Sequence, residues 1–244
     1  MTEPAEPAEP APIRGVDSFD EVVLYGSRGH SQMMMAVLQT HWQGRVRLRA
    51  VIDDLDNGFV HPALGVPVIS GAERLAQVPT VPVLLSMGDG AVRARIAARL
   101  AHEGAVLANI VHRTPGTVAA DARFGPGCVL DLTSRICPNV VLGTGVQVLA
   151  AVIGHDVSVG DFSTLAFGAI INGHVEIGSH VTIGSGAIIC NGRPGHPIRI
   201  GDGAVIGVGA VVMRDVPAGA RMMGNPAMPV RDWARLQALI RQTP

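Results

Sequence analysis

From Val118 to Val212 an aliphatic or aromatic residue returns at every sixth position. One register takes Val118, Phe124, Leu130, Ile136, Leu142 and Val148. It resumes one residue early at Ile153 and runs through Val159, Leu165, Ile171, Ile177, Ile183 and Ile189. After an insertion it returns at Ile200, Ile206 and Val212. Every one of these positions is apolar in a chain that is 48% hydrophobic, and many are followed directly by Gly. Such a period fits neither a helix of about 3.6 residues per turn nor the alternation of a half-buried strand. It is the signature of a parallel β-helix, in which three hexads make one triangular coil. The recurring aliphatic points into the prism, and Gly permits the tight corners. The stretch therefore reads as a left-handed β-helix of about five coils. A β-sandwich of short strands would not hold so strict a spacing.

The remainder of the chain divides around this repeat. Residues 1–20 open with MTEPAEPAEPAP, which has no large apolar side chain to bury and reads as a disordered tail. Residues 21–112 alternate strand and helix. EVVLY (21–25), RLRAVIDD (47–54), VPVLLSMG (81–88) and AVLANIVH (105–112) read as strands. MMMAVLQTHW and GAVRARIAARLAHEG read as helices, the second closed by Gly104. This pattern implies a parallel sheet of Rossmann type. At roughly ninety residues it is half a dinucleotide fold, sized for one nucleotide. HPALGVPVIS (61–70) reads as a loop. The β-helix occupies 113–228, and a short amphipathic helix closes the chain over 229–244.

Composition narrows the function classes. A formal net charge of −1 argues against electrostatic binding of nucleic acid. Cys128, Cys137 and Cys190 have no CxxC spacing and read as small thiols in a reducing cytoplasm. No apolar stretch is long enough for a membrane span, and no signal peptide is evident.

Three features carry chemistry. The turn Gly26-Ser27-Arg28-Gly29-His30 places backbone N–H groups at a helix N-terminus, which suits a phosphate or sugar oxygens. Asp53 and Asp54 end the second strand, where acids receive ribose hydroxyls or base N–H groups, or else cap a solvated turn. The slip between Val148 and Ile153 falls just before Gly154-His155-Asp156. A missing residue there displaces the next corner and exposes His155, either as a base oriented by Asp156 or as a plain solvated histidine. His174 and His180 occupy the same hexad position one hexad apart, so they diverge onto successive faces. They read as surface or interface residues, and no metal site is expected. The late insertion CNGRPGHPIR (190–199) must project from the prism.

In order, YGSRGH, VIDD, IGHDVSVGDFS and IGDGAVIGVGAVVMRDVPAGARMMGNPA resemble the sialic-acid O-acetyltransferase-like sugar acyltransferases over about residues 21 to 230. That group includes N-acetyltransferases acting on UDP-4-amino sugars and GDP-perosamine. The resemblance implies acetyl-CoA as acyl donor and the amino group of a nucleotide-linked sugar as acceptor. It implies His155 as catalytic base and Asp156 as its acidic partner. Gly26, Ser27, Gly29 and His30, with Arg28 among them, match the loop that holds the nucleotide-sugar, and Asp53 and Asp54 match acids that contact the nucleotide. Gly173, Ser185 and Val208 fall where the family's backbone meets the pantetheine arm, and Arg214 where a basic residue meets CoA phosphate. Thr164 stands where a second His commonly contacts the acyl donor; Val148 replaces a common Asn, and Gly154 a frequent Glu. A three-faced prism also packs readily around a threefold axis, which gives a homotrimer with active sites between subunits. The same fold accommodates transfer to a sugar hydroxyl, or a non-catalytic sugar-nucleotide-binding trimer.

Overall fold

The structure, a computed structural model, describes residues 11–42, 44–112, 114 and 116–242. The N-terminal part contains β1 (Arg14–Val16), β2 (Glu21–Tyr25), α1 (Gly29–Trp42), β3 (Arg47–Ile52) and β4 (Phe59–Val60). It continues through β5 (Pro67–Ile69), α2 (Gly71–Gln77), β6 (Val83–Leu85), α3 (Gly90–His102) and β7 (Val106–Ala108). These strands form one sheet in the order β1-β7-β6-β2-β3-β5-β4, parallel except where β4 meets β5. Val22, Val23 and Leu24 are buried on both sides of the sheet, as an unbroken apolar run in a parallel sheet requires. From β2 the chain winds outward through β3 to β5, then crosses back to β6 on the other side of β2. The winding reverses between β2 and β6.

Two expectations are corrected here. The tail does not extend to residue 20, because Arg14–Val16 pairs with Val106–Ala108 and adds an edge strand; residues 1–10 lie outside the described residues. The stretch 61–70 is not simply a loop. Pro67 opens β5, the first-residue position where Pro is tolerated. Ser70 and Glu73 then form a reciprocal capping box that starts α2.

The repeat folds as a three-sided parallel β-helix. Face 1 stacks Arg135–Ile136, Val152–Ile153, Ile170–Ile171, Ile188–Ile189 and Val211–Val212. Face 2 stacks Arg123–Phe124, Val141–Leu142, Val157–Val159, Val175–Ile177 and Ile198–Ile200. Face 3 stacks Val129–Leu130, Gln147–Val148, Thr164–Leu165, Thr182–Ile183 and Val205–Ile206, then Arg221–Met223. Of the hexad residues read from the sequence, all are buried except Phe124, which packs partly buried against the same core. The first coil begins before residue 113, since Ile110 already bridges to Val129.

The slip is absorbed where the chain turns from face 3 to face 1, at Leu149–Ala151, with Ala150 at φ 54°. The following strand pairs in register, Val152 with Arg135 and Ile153 with Ile136. The corner bearing His155 is therefore not displaced, contrary to the sequence-based expectation. Its exposure comes from lying on an ordinary corner.

The N-terminal sheet sits on the first coils of face 3, and Arg93 of α3 fastens the junction. This fully buried guanidinium donates to the carbonyls of Met87, Gly88, Gly145, Phe162 and Ser163, and to the Thr164 hydroxyl. Burial lowers its pKa to about 10, which leaves it charged at neutral pH. Gly90 lies so near that an added Cβ would come within 2.2 Å of the Phe162 carbonyl. The chain ends in α4 (Val230–Gln242), which contacts the last face 3 strand. Among the described residues no helix is long and apolar enough to cross a membrane.

Candidate active site

His155 and Asp156 occupy the corner between faces 1 and 2. Positive φ recurs up this corner at Asn139 (60°), Asp156 (58°) and His174 (54°). Coil stacking thus turns residues distant in sequence into a column of neighbours. The backbone N–H of Asn139 donates to Asp121, and its amide donates to Asp156 Oδ1 at 3.0 Å. Asp156 Oδ2 lies 2.7 Å from His155 Nδ1 and 3.7 Å from His174 Nδ1. The His155 hydrogen bond, and after it that of Asn139, hold the Asp156 carboxyl below the usual carboxylate range. An ionised Asp156 fixes the proton of His155 on Nδ1 and leaves the lone pair on Nε2, on the side of the ring that lies over Gly173. The ring is 55% exposed and lies over Gly173, whose added Cβ would come within 2.7 Å of it.

Sequence reading set His174 and His180 apart at the surface or an interface, and they do diverge, but it did not foresee that the ring of His174 meets that of His155 edge-on at 5.0 Å between centroids. His180 lies on the next corner, stacked on Phe162. The signal for His174 was present: one coil separates it from Asp156, so the two share a corner.

A cavity of about 900 Å³ opens at the carboxyl ends of β2, β3 and β6, where the winding reverses. Open α/β sheets bind ligands at such a point. Gly26, Ser27, Arg28 and His30 line it, together with Asp53, Asp54, Ser86, Asp89 and Arg95. Gly29 begins α1 beside them. The two acids do not present free carboxylates. Asp53 accepts from the Ser27 hydroxyl and from the N–H groups of Leu55 and Asp56. Burial alone would raise its pKa, but these bonds outweigh it and hold the group below its ordinary value. Asp54 accepts from Tyr25, from the Gly71 N–H and from Arg99 at 2.8 Å.

His61, read from the sequence as part of a loop, is buried in the cavity wall. Its Nε2 lies 2.9 Å from the Ser27 carbonyl, and its Nδ1 accepts from Ala63 and Leu64. His30 is lowered in pKa chiefly by burial, partly offset by Gln147 of face 3. Its buried Nε2 and the Gln147 Oε1 both lack hydrogen-bond partners.

The expected donor-side residues separate. Gly173 and Arg214 lie on the histidine corner, Arg214 beside a second cavity of about 490 Å³ that Arg221 and Arg231 also line. Ser185 and the exposed Val208 lie on the opposite edge of face 1. Thr164 does not belong with them. It is buried, with its hydroxyl accepting from Arg93 at 2.9 Å and directed toward the Gly88 carbonyl at 3.3 Å. That hydroxyl serves the junction, which corrects the expectation that it meets the acyl donor. Val148 points into the prism and can touch no acceptor.

No protein-family model matches the chain, and no curated protein matches it significantly. Solved structures do. WeeI from Acinetobacter baumannii AYE is 28% identical, with TM-score 0.68, over 85% of this chain and 98% of that one. The acetyltransferase domain of PglB from Neisseria gonorrhoeae FA1090, in complex with acetyl coenzyme A, is 28% identical, with TM-score 0.74, over 87% and 100%. PerB from Caulobacter crescentus, in complex with CoA and GDP-perosamine, is 25% identical, with TM-score 0.73, over 87% and 98%. With its stacked parallel strands, which fit a left-handed β-helix, the chain is an acyltransferase similar to those of the hexapeptide-repeat class. Its structural neighbours include that acetyltransferase domain and a perosamine N-acetyltransferase from Caulobacter crescentus.

Proposed function

We propose that this protein transfers the acetyl group of acetyl-CoA to the amino group of a nucleotide-linked sugar, with His155 as general base. The observation that carries this is the His155–Asp156 pair, exposed on a rigid corner with Nε2 free. The amine attacks the thioester carbonyl, forming the C–N bond, and a backbone N–H receives the developing oxyanion. His155 Nε2 takes the amine proton, Asp156 stabilises the imidazolium, and collapse breaks the C–S bond as that proton passes to the CoA sulfur.

The N-terminal sheet is read as a Rossmann-like half-fold, on the strength of its reversal point and cavity, and residues 21–112 as the nucleotide-sugar domain. The turn from Gly26 to His30 at the α1 N-terminus offers N–H groups to phosphate, with Arg28 and Arg95 exposed at the rim. Asp53 and Asp54 shape that rim. Residues 113–228 form the acyl-CoA-binding β-helix and 229–244 the closing helix. Gly173, Ser185, Val208 and Arg214 contact CoA, and the enzyme works in the cytoplasm.

His155 lies at the corner opposite face 3, which carries the nucleotide cavity, and none of its neighbours lines that cavity. One copy therefore holds base and cavity on opposite sides of the prism. Face 1 supplies a reason to assemble: above Arg135 at its first rung, its outward positions Val152, Ile170, Ile188 and Val211 form an apolar ladder, while face 2 presents Arg123, Val141, Ser158, Glu176 and Arg199. A homotrimer built on face 1 brings the histidine corner of one copy to the far edge of the next, so that one CoA meets Gly173, Ser185 and Val208 together.

The test is labelled acetyl-CoA offered with paired amino- and hydroxy-sugar nucleotides. Amide formation on the amino member is expected, and His155→Ala is expected to slow it by ~10²–10⁴ while CoA still binds. Unchanged turnover defeats the assignment of the base; acetylation of the hydroxy member alone defeats the assignment of the acceptor.

A further inference from the structure

We propose that the histidine corner is also a binding site for a zinc-class transition-metal ion, and that the ion switches the acyltransferase off. The inference rests on the reading of His155 as base and adds a ligand and a means of regulation to that site.

The donor atoms come from His155, Asp156 and His174, and they lie within 4.8 Å of one another. In a tetrahedral zinc site, with ligands about 2 Å from the ion, donor atoms sit about 3.4 Å apart. The two separations at Asp156 Oδ2, 2.7 Å to His155 Nδ1 and 3.7 Å to His174 Nδ1, bracket that spacing. Small side-chain movements on exposed groups bring all three onto one ion and leave its outer side open to water. The carboxylate already has an outer partner in Asn139, whose amide holds Oδ1 and turns Oδ2 toward the two rings. Two imidazoles and one carboxylate select zinc, nickel or copper over magnesium or calcium, which prefer sites made of oxygen alone.

Inhibition follows from the tautomer. As a base, His155 carries its proton on Nδ1, donates it to Asp156 and keeps the Nε2 lone pair for the substrate. As a ligand through Nδ1, the same ring must give that position to the ion and carry its proton on Nε2. The metal-bound ring has no lone pair to accept the amine proton. The ion therefore stops transfer even where it leaves the acceptor room to bind.

Equilibrium dialysis of the full-length protein against zinc chloride, with magnesium chloride as control, tests binding without turnover. One zinc per chain and no retained magnesium are expected. His174→Asn keeps a residue that tolerates the left-handed backbone of that position and removes one ligand. Its affinity should fall by at least the roughly tenfold that losing an outer partner costs. Asn139→Gly, which preserves the positive φ, should weaken binding by roughly tenfold. The zinc concentration that halves acetyl transfer, read against each variant's own metal-free rate, should move by the same factors, and a chelator should restore the rate. Absence of retained zinc, or equal retention by His174→Asn, overturns the site. Zinc that binds through His174 yet leaves transfer unchanged overturns the inhibition. A failure of the base reading shows separately, as full turnover in His155→Ala, and does not alter the dialysis result.

Discussion

If His155 is the base, as proposed, Gly173 sets how well it can act. The ring rests on a position where a methyl group would come within 2.7 Å of it, so the exposed side chain itself must give way. Gly173→Ala should push the imidazole aside while leaving the prism folded, because the backbone there has no left-handed φ. A misplacement of about 1 Å can cost ~10² in rate, so a loss of that order is expected, with an unchanged melting temperature as the check. His30 supports a pH prediction. Its folded-state pKa lies below the ordinary 6.5, so as pH falls the unfolded chain binds the proton first. Stability present above that value is lost below it, and the buried His112 acts in the same direction. Melting temperature should drop between about pH 7 and about pH 5, and His30→Asn should flatten the slope. At this scale the adjacent pair His155–Asp156 was legible in the chain. Its neighbours Asn139 and His174 were not found, because they meet it only through coil stacking. Thr164 was misassigned because position relative to a motif does not reveal which wall of the prism a side chain faces.

Secondary-structure elements divide in the same way. The hexad named about half of the interior side chains of the β-helix, since one residue type must recur wherever the prism closes; residues two positions earlier, such as Val140, Val157 and Val181, fill most of the rest and were not read. The slip was visible but its effect was misplaced; the turn before face 1 takes it up and the ladder continues in register. Strand β5 was hidden by its Pro, and α2 by its short length, although Ser70 and Glu73 spell out its cap. Arg93 could not be recognised, because an arginine on an amphipathic helix ordinarily faces water. Replacing it with Met strands several buried carbonyls, each costing about 1–3 kcal/mol when left unpaired. Arg93→Met should therefore lower the unfolding free energy by about 3 kcal/mol or more, as read from denaturant titration. Arg93→Lys should not restore it, since an ammonium cannot span the same fan of acceptors.

For the whole molecule, the apolar ladder on face 1 makes assembly testable. Ile170→Glu places a charge in the middle of that ladder without touching the interior. It should convert a sedimenting trimer to monomers that keep their circular dichroism and lose transfer activity. A stable, active wild-type monomer would contradict the arrangement. The proposed division of labour across the prism has a genetic consequence. On that reading, a chain crippled at His155 still offers an intact nucleotide cavity, and a chain crippled at that cavity still offers an intact base. Two such inactive polypeptides, expressed together, should complement one another in mixed particles, whereas each alone remains silent.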